Sequence, residues 1–391
     1  MLTSEFNAEE FIKTQIENLR REIKEEKALV AVSGGVDSTT CAALAYKAIK
    51  ENLICVLIDT GFMRINEPEW VKNILNKPPL NLPIKILNAK ENFIKSLIGI
   101  KDAEEKRKIF REEFYKVLSD IAKKENCKFL IQGTIAPDWI ETKGGIKTQH
   151  NVLTQIGIKT EEKYGFTLLE PLVNLYKDQV RIIAKTLNVP KEISERQPFP
   201  GPGLMVRCVG EVKEEKLKEL KKATKIVEEK LMNKEIQQYF AAILDEEFID
   251  EQFFPELDLN NIEEIKVFKN LATGVKGDER AYGKIAGVKI KEKQRENIWN
   301  NFEELISLQS RIISEKKDFT RVLYLIEEKN EGKYAISIRA IKTRDYMTAE
   351  VAQIEWETIK KISEEILVNC LDVKEVYYDV TPKPPATIEY E

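Results

Sequence analysis

Residues 28–49 read ALVAVSGGVDSTTCAALAYKAI. An apolar run meets two glycines and an acid, Ser33-Gly34-Gly35-Val36-Asp37-Ser38, and passes directly into a small-residue helical stretch beginning near Thr39. Such a turn receives phosphate: glycines let backbone N–H groups approach an anion closely, and the helix directs its positive end toward it. Ser33 and Ser38 add hydroxyl groups. A Walker-type loop would place a lysine after its second glycine, and none follows here. Asp37 opposes an anion until a cation is added; with Mg²⁺ between them, a carboxylate and a polyphosphate share one site. The pattern therefore predicts a polyphosphate held together with Mg²⁺, with Asp37 as the metal ligand.

The same alternation continues on both sides of the loop. Strand-like segments KALVAVS, LICVLID, LPIKILNA and KFLIQG are separated by helical patterns around 8–26, 38–50 and 103–125. Apolar strands spaced by helices of this length specify an α/β fold, a parallel sheet covered on both faces. The loop leaves the carboxyl end of the first strand, where ligands sit in such sheets. At 196–204 the stretch RQPFPGPGL holds three prolines and two glycines within six residues, which neither a helix nor a central strand accepts. It reads as a rigid linker between a first domain, 1–195, and a second, 205–391. In the second, a charged helix precedes an acidic, aromatic stretch and two blocks of like pattern, 284–326 and 334–380. Each block reads strand, loop, helix, strand, an internal βαβ duplication.

Composition narrows the function. The 391 residues allow two or three domains. Charge is abundant but balanced, 62 basic against 66 acidic residues, which argues against a protein built around nucleic acid. No segment has the pattern of a signal peptide or a membrane span, so the expected location is the cytoplasm. The five cysteines, at 41, 55, 127, 208 and 370, form no CxxC pair, and His150 is the single histidine. A self-contained Cys-His or Ser-His catalytic system would have to use that one residue.

The loop SGGVDS has the pattern of ATP pyrophosphatases, which cleave ATP between the α and β phosphates. The chain further resembles the ATP-pyrophosphatase part of GMP synthetases, in the form made as a separate subunit. The resemblance rests on SGGVDST (33–39), DTGFMR (59–64), QGTIAPDWIETKGGIKTQHNV (132–152), EPLVNLYKDQVR (170–181), RQPFPGPGL (196–204), GVKGDERAY (274–282), RDYMTAE (344–350) and YDVTPKPPATIEYE (378–391). It implies an adenine-nucleotide α-hydrolase-like sheet followed by a small α/β dimerisation-type domain. It also implies adenylation of xanthosine 5′-monophosphate (XMP) at its C2 oxygen, then displacement of AMP by ammonia to give GMP. The implied nucleotide site is Ser33, Gly34, Gly35, Val36, Asp37, Ser38 and Thr39. The implied catalytic residues are Asp138, Glu141, Lys143, Lys147 and His150, on a segment whose Gly144-Gly145 would let it close as a lid. The implied substrate contacts are Arg196, Gln238, Lys383, Ile388 and Glu389, the last three in the closing stretch KPPATIEYE.

The chain departs from that family pattern in four places. Gln149 stands where the family has the first of two lid histidines. Glu375 stands eight residues before Lys383, where the family has an arginine that meets substrate phosphate. The stretch 246–270 and the block 287–333 are additional; a fused second copy would give a monomer in place of a homodimer. No glutaminase is readable, so ammonia is expected free or from a separate glutamine amidotransferase subunit. The alternative reading is a paralogue that adenylates another nucleotide or small molecule, motivated by Glu375 and the insertions. A tRNA-thiolating enzyme would want paired cysteines and a basic face, and neither is present.

Overall fold

The computed structural model describes residues 6–138, 159–232, 235–250, 261–277, 279–344 and 346–391. The chain divides into two compact units, Met1–Ser96 with Arg107–Gly201, and Leu97–Lys106 with Pro202–Glu391. Among the described residues no helix is long and apolar enough to cross a membrane.

In the first unit, β1 (Lys27–Ala31), β2 (Leu53–Asp59), β3 (Ile84–Asn88), β4 (Cys127–Ile131) and β5 (Thr167–Leu169) form one parallel sheet in the order β3-β2-β1-β4-β5. β5 is the strand that the sequence pattern did not signal; three residues are too few to show a period. The longer helices are α1 (Ala8–Ile23), α2 (Val36–Ile49), α3 (Glu67–Leu75), α4 (Lys90–Ser96), α5 (Ala103–Glu125) and α6 (Lys177–Thr186). Asn7 caps α1, its side chain accepting from Glu10 N at 3.1 Å. α2 buries Cys41, Ala42, Ala43, Leu44 and Ala45, an almost unbroken small-residue run that lets it lie close on the sheet. Strand order reverses on either side of β1, so the loop from β1 to α2 opens at the switch point of the sheet.

The second unit holds β6 (Gln238–Asp245), β7 (Phe248–Ile249), β8 (Ile262–Lys276), β9 (Glu279–Ile290), β10 (Phe319–Glu328), β11 (Tyr334–Lys342), β12 (Glu350–Val351) and β13 (Val373–Asp379). With them run α7 (Glu214–Leu231), α8 (Glu292–Asn300), α9 (Phe302–Glu315) and α10 (Trp356–Asn369). The sheet order is β12-β11-β13-β10-β9-β8-β7, with β6 also paired to β11. The block 284–326 folds as strand, two helices and strand with β9 parallel to β10; the block 334–380 places β11 parallel to β13. β10 and β13 meet antiparallel, Tyr324 opposite Tyr378. Outside each block lies one more antiparallel strand, β8 on β9 and β6 on β11. The sheet curls until its ends approach, Asp245 N donating to Asn270 Oδ1 at 2.8 Å.

Strand alternation sorts the residues of this sheet. Phe240, Ala242 and Leu244, with Leu323, Leu325, Ala335 and Tyr377, build the enclosed core. Tyr324 and Tyr378 point to the opposite face, where Trp299 packs at 5.8 and 5.0 Å between ring centroids. Strands buried on both sides explain the nearly continuous apolar runs of β10 and β11.

The expected linker is partly a packed element. Gly203–Arg207 forms a tight helical turn with Leu204, Met205 and Val206 fully buried. Residues 97–106 belong to the second unit, although the sequence places them inside the first domain. Their anchor is Lys106, whose fully buried ammonium donates to the carbonyls of Cys208 and Gly210, each at 2.8 Å, and pairs with Glu391.

Candidate active site

Between β1 and α2 the backbone needs glycine for two separate reasons. Gly34 adopts φ +81°, and a Cβ there would stand 2.5 Å from Val71 Cγ2. Gly35 then caps α2. The loop is braced from within: Ser33 Oγ lies 2.8 Å from Ser38 Oγ, Ser38 Oγ receives Ser33 N at 3.1 Å, and Ser33 Oγ receives Gly35 N at 3.3 Å. These bonds fix the loop at the head of α2, whose first N–H groups and positive end lie beside it. Ser33 to Thr39 are thus brought together in one turn. Thr39 Oγ1 and Asp37 Oδ1 are buried without a hydrogen-bond partner.

A lysine reaches the loop from elsewhere in the chain. Lys177, in the first turn of α6, donates to Asp37 Oδ2. Sequence reading missed it because its partner lies 140 positions away; the only signal was its place in EPLVNLYKDQVR after β5. The ends of β4 and β5 add further groups. Gly133 follows β4, and a Cβ on it would stand 2.8 Å from Asp37 O, so the strand end presses directly on the head of α2. Thr134 donates to Glu170 Oε1 at 2.5 Å. Burial raises the Glu170 pKa; Thr134 opposes the rise and nearby Asp138 adds to it. Asp138 Oδ2 accepts from Ile135 N at 3.1 Å, reaching back from the third residue of a short helical turn that begins at Ala136. Glu141, Lys143, Lys147 and His150 lie outside the described residues. Among the described residues no group of three or more His, Cys, Asp or Glu is placed to hold a metal ion, so Asp37 offers a single carboxylate. The five cysteines are free and buried, and burial raises the Cys41 thiol far above its ordinary range.

Arg196 stands in the first unit against Glu67. Its NH1 donates to Glu67 Oε1 at 2.5 Å, and its guanidinium lies 4.7 Å from the Trp70 ring centroid. Glu67 also takes Arg64 NH1 at 3.1 Å and Arg64 N at 2.9 Å. Burial alone would raise the Glu67 pKa; the two arginines hold it below the usual carboxylate range.

The remaining expected contacts lie in the second unit. Gln238 Nε2 donates to Glu389 Oε1 at 3.0 Å, so these two are brought together. Arg207, absent from the sequence-based candidates, grips the same carboxylate with both prongs, Nε to Oε2 at 2.8 Å and NH2 to Oε1 at 2.9 Å. Ile388 packs against the enclosed core. Lys383 donates to Tyr346 O at 2.6 Å. The stretch ends packed, with Ala386, Tyr390 and Glu391 buried.

Glu375 does not face this stretch. It lies near the start of β13, on the same strand face as Asp379 but four residues earlier, about 13 Å at the rise of a strand. Its carboxylate is 1% exposed, takes Lys266 Nζ at 2.6 Å and Tyr377 OH at 2.7 Å, and sits beside Glu246. Lys374 pairs with Glu246 at 3.2 Å.

Two family models match the chain: NAD synthase over residues 7–247 and the GMP synthase C terminal domain over residues 328–390. The chain is 50% identical over 387 residues to a subunit of the glutamine-hydrolyzing GMP synthase of Sulfurisphaera tokodaii, covering 99% of this chain and 100% of that one. It is likewise 50% identical over 386 residues to the protein of that name in Saccharolobus solfataricus, with the same coverage. Among solved structures, an NMN synthetase from Francisella tularensis aligns with 51% of this chain and 78% of its own at 21% identity, with a TM-score of 0.38. The two GMP synthase matches run end to end, so the stretches 246–270 and 287–333 fall within the aligned length.

Proposed function

This chain belongs to the GMP synthase family, in the form made as a separate subunit, and from that premise we propose how its residues divide the work. The reaction is a ligation: ATP-dependent amination of XMP to GMP through an adenylyl intermediate, with AMP and pyrophosphate released. The observation that carries the reading is the braced Ser33–Thr39 turn at the head of α2, faced by a lysine. A turn with that charge and those N–H groups suits the β and γ phosphates, which depart together as pyrophosphate.

Mg²⁺ fits this site, because Asp37 Oδ1 is a buried carboxylate oxygen with no partner of its own and hard cations take oxygen donors. When bound with ATP, the ion neutralises polyphosphate charge. Lys177 sets Asp37 through its second oxygen and adds a positive charge where pyrophosphate forms. Lys143 and Lys147, by resemblance, meet the negative charge that grows on the reacting phosphorus; Asp138 and Glu141 orient them, and His150 serves as the proton-handling group of the lid. By resemblance, Ile388 and Glu389 reach the purine, Lys383 pairs with the nucleotide phosphate, and Gln238 and Arg196 are further substrate contacts. Ammonia comes from solution or from a separate glutamine-hydrolysing subunit, as the relatives' names state for them. Five unpaired thiols suit a reducing compartment, and we place the enzyme in the cytoplasm.

The paralogue reading loses both its motives: Glu375 is satisfied by Lys266 and Tyr377 away from the substrate stretch, and the stretches 246–270 and 287–333 lie within the end-to-end matches. The test follows pyrophosphate and GMP together in ATP, Mg²⁺ and ammonium, with and without XMP. Pyrophosphate release that requires XMP and matches GMP formation is expected. ATP binding without XMP-dependent release would overturn the assignment.

A further inference from the structure

We propose that Arg321 is a positioning residue for Glu389, holding it by the backbone while Arg207 holds its carboxylate. The inference rests on the reading above that Glu389 meets the purine. Arg321 lies on β10, and its side chain is fully buried. Its NH2 donates to the carbonyls of Glu389 at 2.5 Å and Thr387 at 2.9 Å, and its NH1 to Asp379 Oδ2 at 2.6 Å. The Tyr390 ring lies 3.9 Å from its Cζ. Arg339 on β11 donates to the same Thr387 carbonyl at 3.0 Å and shares Asp379.

The segment 387–390 is therefore held from beneath by charge-assisted bonds to its carbonyls, which neutral strand pairing would not supply. Neighbouring side chains leave it in different directions: Glu389 to Arg207 and Gln238, Tyr390 to Ser337 and Asp379. Moving the Glu389 carbonyl would swing its carboxylate out of that grip. β10 thus supplies a support for substrate recognition as well as a piece of the sheet.

The experiment uses full-length Arg321→Lys, Glu389→Gln and the double variant, with initial GMP formation measured while XMP and ATP are varied separately. Lysine keeps the charge but loses the planar fork. Arg321→Lys is expected to raise KM for XMP roughly tenfold, with KM for ATP unchanged. In the Glu389→Gln background it should add nothing, since both changes act on one contact. Equal effects on both substrates, no effect on XMP, or full additivity with Glu389→Gln would overturn the positioning role. If Glu389→Gln alone leaves KM for XMP unchanged, the reading of the substrate stretch fails and the proposal falls with it. Should the lysine variant not fold by circular dichroism, Arg321→Gln, which keeps N–H donors, is judged by the same criteria.

Discussion

Lys177 stands where a sequence-adjacent lysine is missing, and its removal should cost chemistry more than binding. Lys177→Met is expected to lower kcat by about 10²-fold while ATP still binds, which single-turnover pyrophosphate release and ATP titration would separate. An equal loss of ATP affinity and no loss in kcat would limit the lysine to ground-state binding. The loop itself was readable because everything it needs is local: glycines, hydroxyls and the start of a helix. Lys177, Glu170 and Arg207 were not readable, because their partners are brought in by the sheet, and no spacing rule connects positions so far apart. Glu375 shows the opposite failure. Counting back from Lys383 suggested a phosphate contact, but β13 carries Glu375 to its far end, among lysines and a tyrosine.

At the scale of elements, β6 and β13 enclose a second consequence. Glu246, just after β6, is pushed up to about 7 by burial and by the neighbouring Glu375 carboxylate, with Lys374 and Lys266 opposing the rise. The folded chain therefore holds a proton between about pH 4.5 and 7 that the unfolded chain gives up, and stability falls as pH rises through that window. Glu246→Gln is expected to flatten the decline in Tm between pH 5 and 8 and to gain on the order of 1–2 kcal/mol at the upper end. A slope unchanged by the substitution would place the proton elsewhere. α1, α2, α5, α7 and strands β1 to β4 were legible from their periods, whereas α3, α4 and α6 were not signalled. The curl of the second sheet was not, because it depends on the Asp245–Asn270 contact between strands that no hairpin joins.

For the whole molecule, the antiparallel β10–β13 pairing joins equivalent strands of the two βαβ blocks, as a local twofold within one chain would. Each block already has the neighbour that a second copy would otherwise supply, so a particle of one 45.1 kDa chain is expected from light scattering at micromolar concentration. A twofold mass would show that another surface joins copies. The same arrangement also governs how the chain reaches its native state. β6 pairs with β11 so that Gln238 meets Ile341 and Asp245 meets Tyr334, strands separated by every other long strand of the sheet but β13. Such pairings close long loops before contacts repay them, and they are slow. The first unit meets the same demand once, where β1 pairs with β4 and Lys27 meets Cys127. During refolding, competence to hold XMP should therefore return only with closure of the second sheet, because Glu389 has no seat until β10, β11 and β13 are in place.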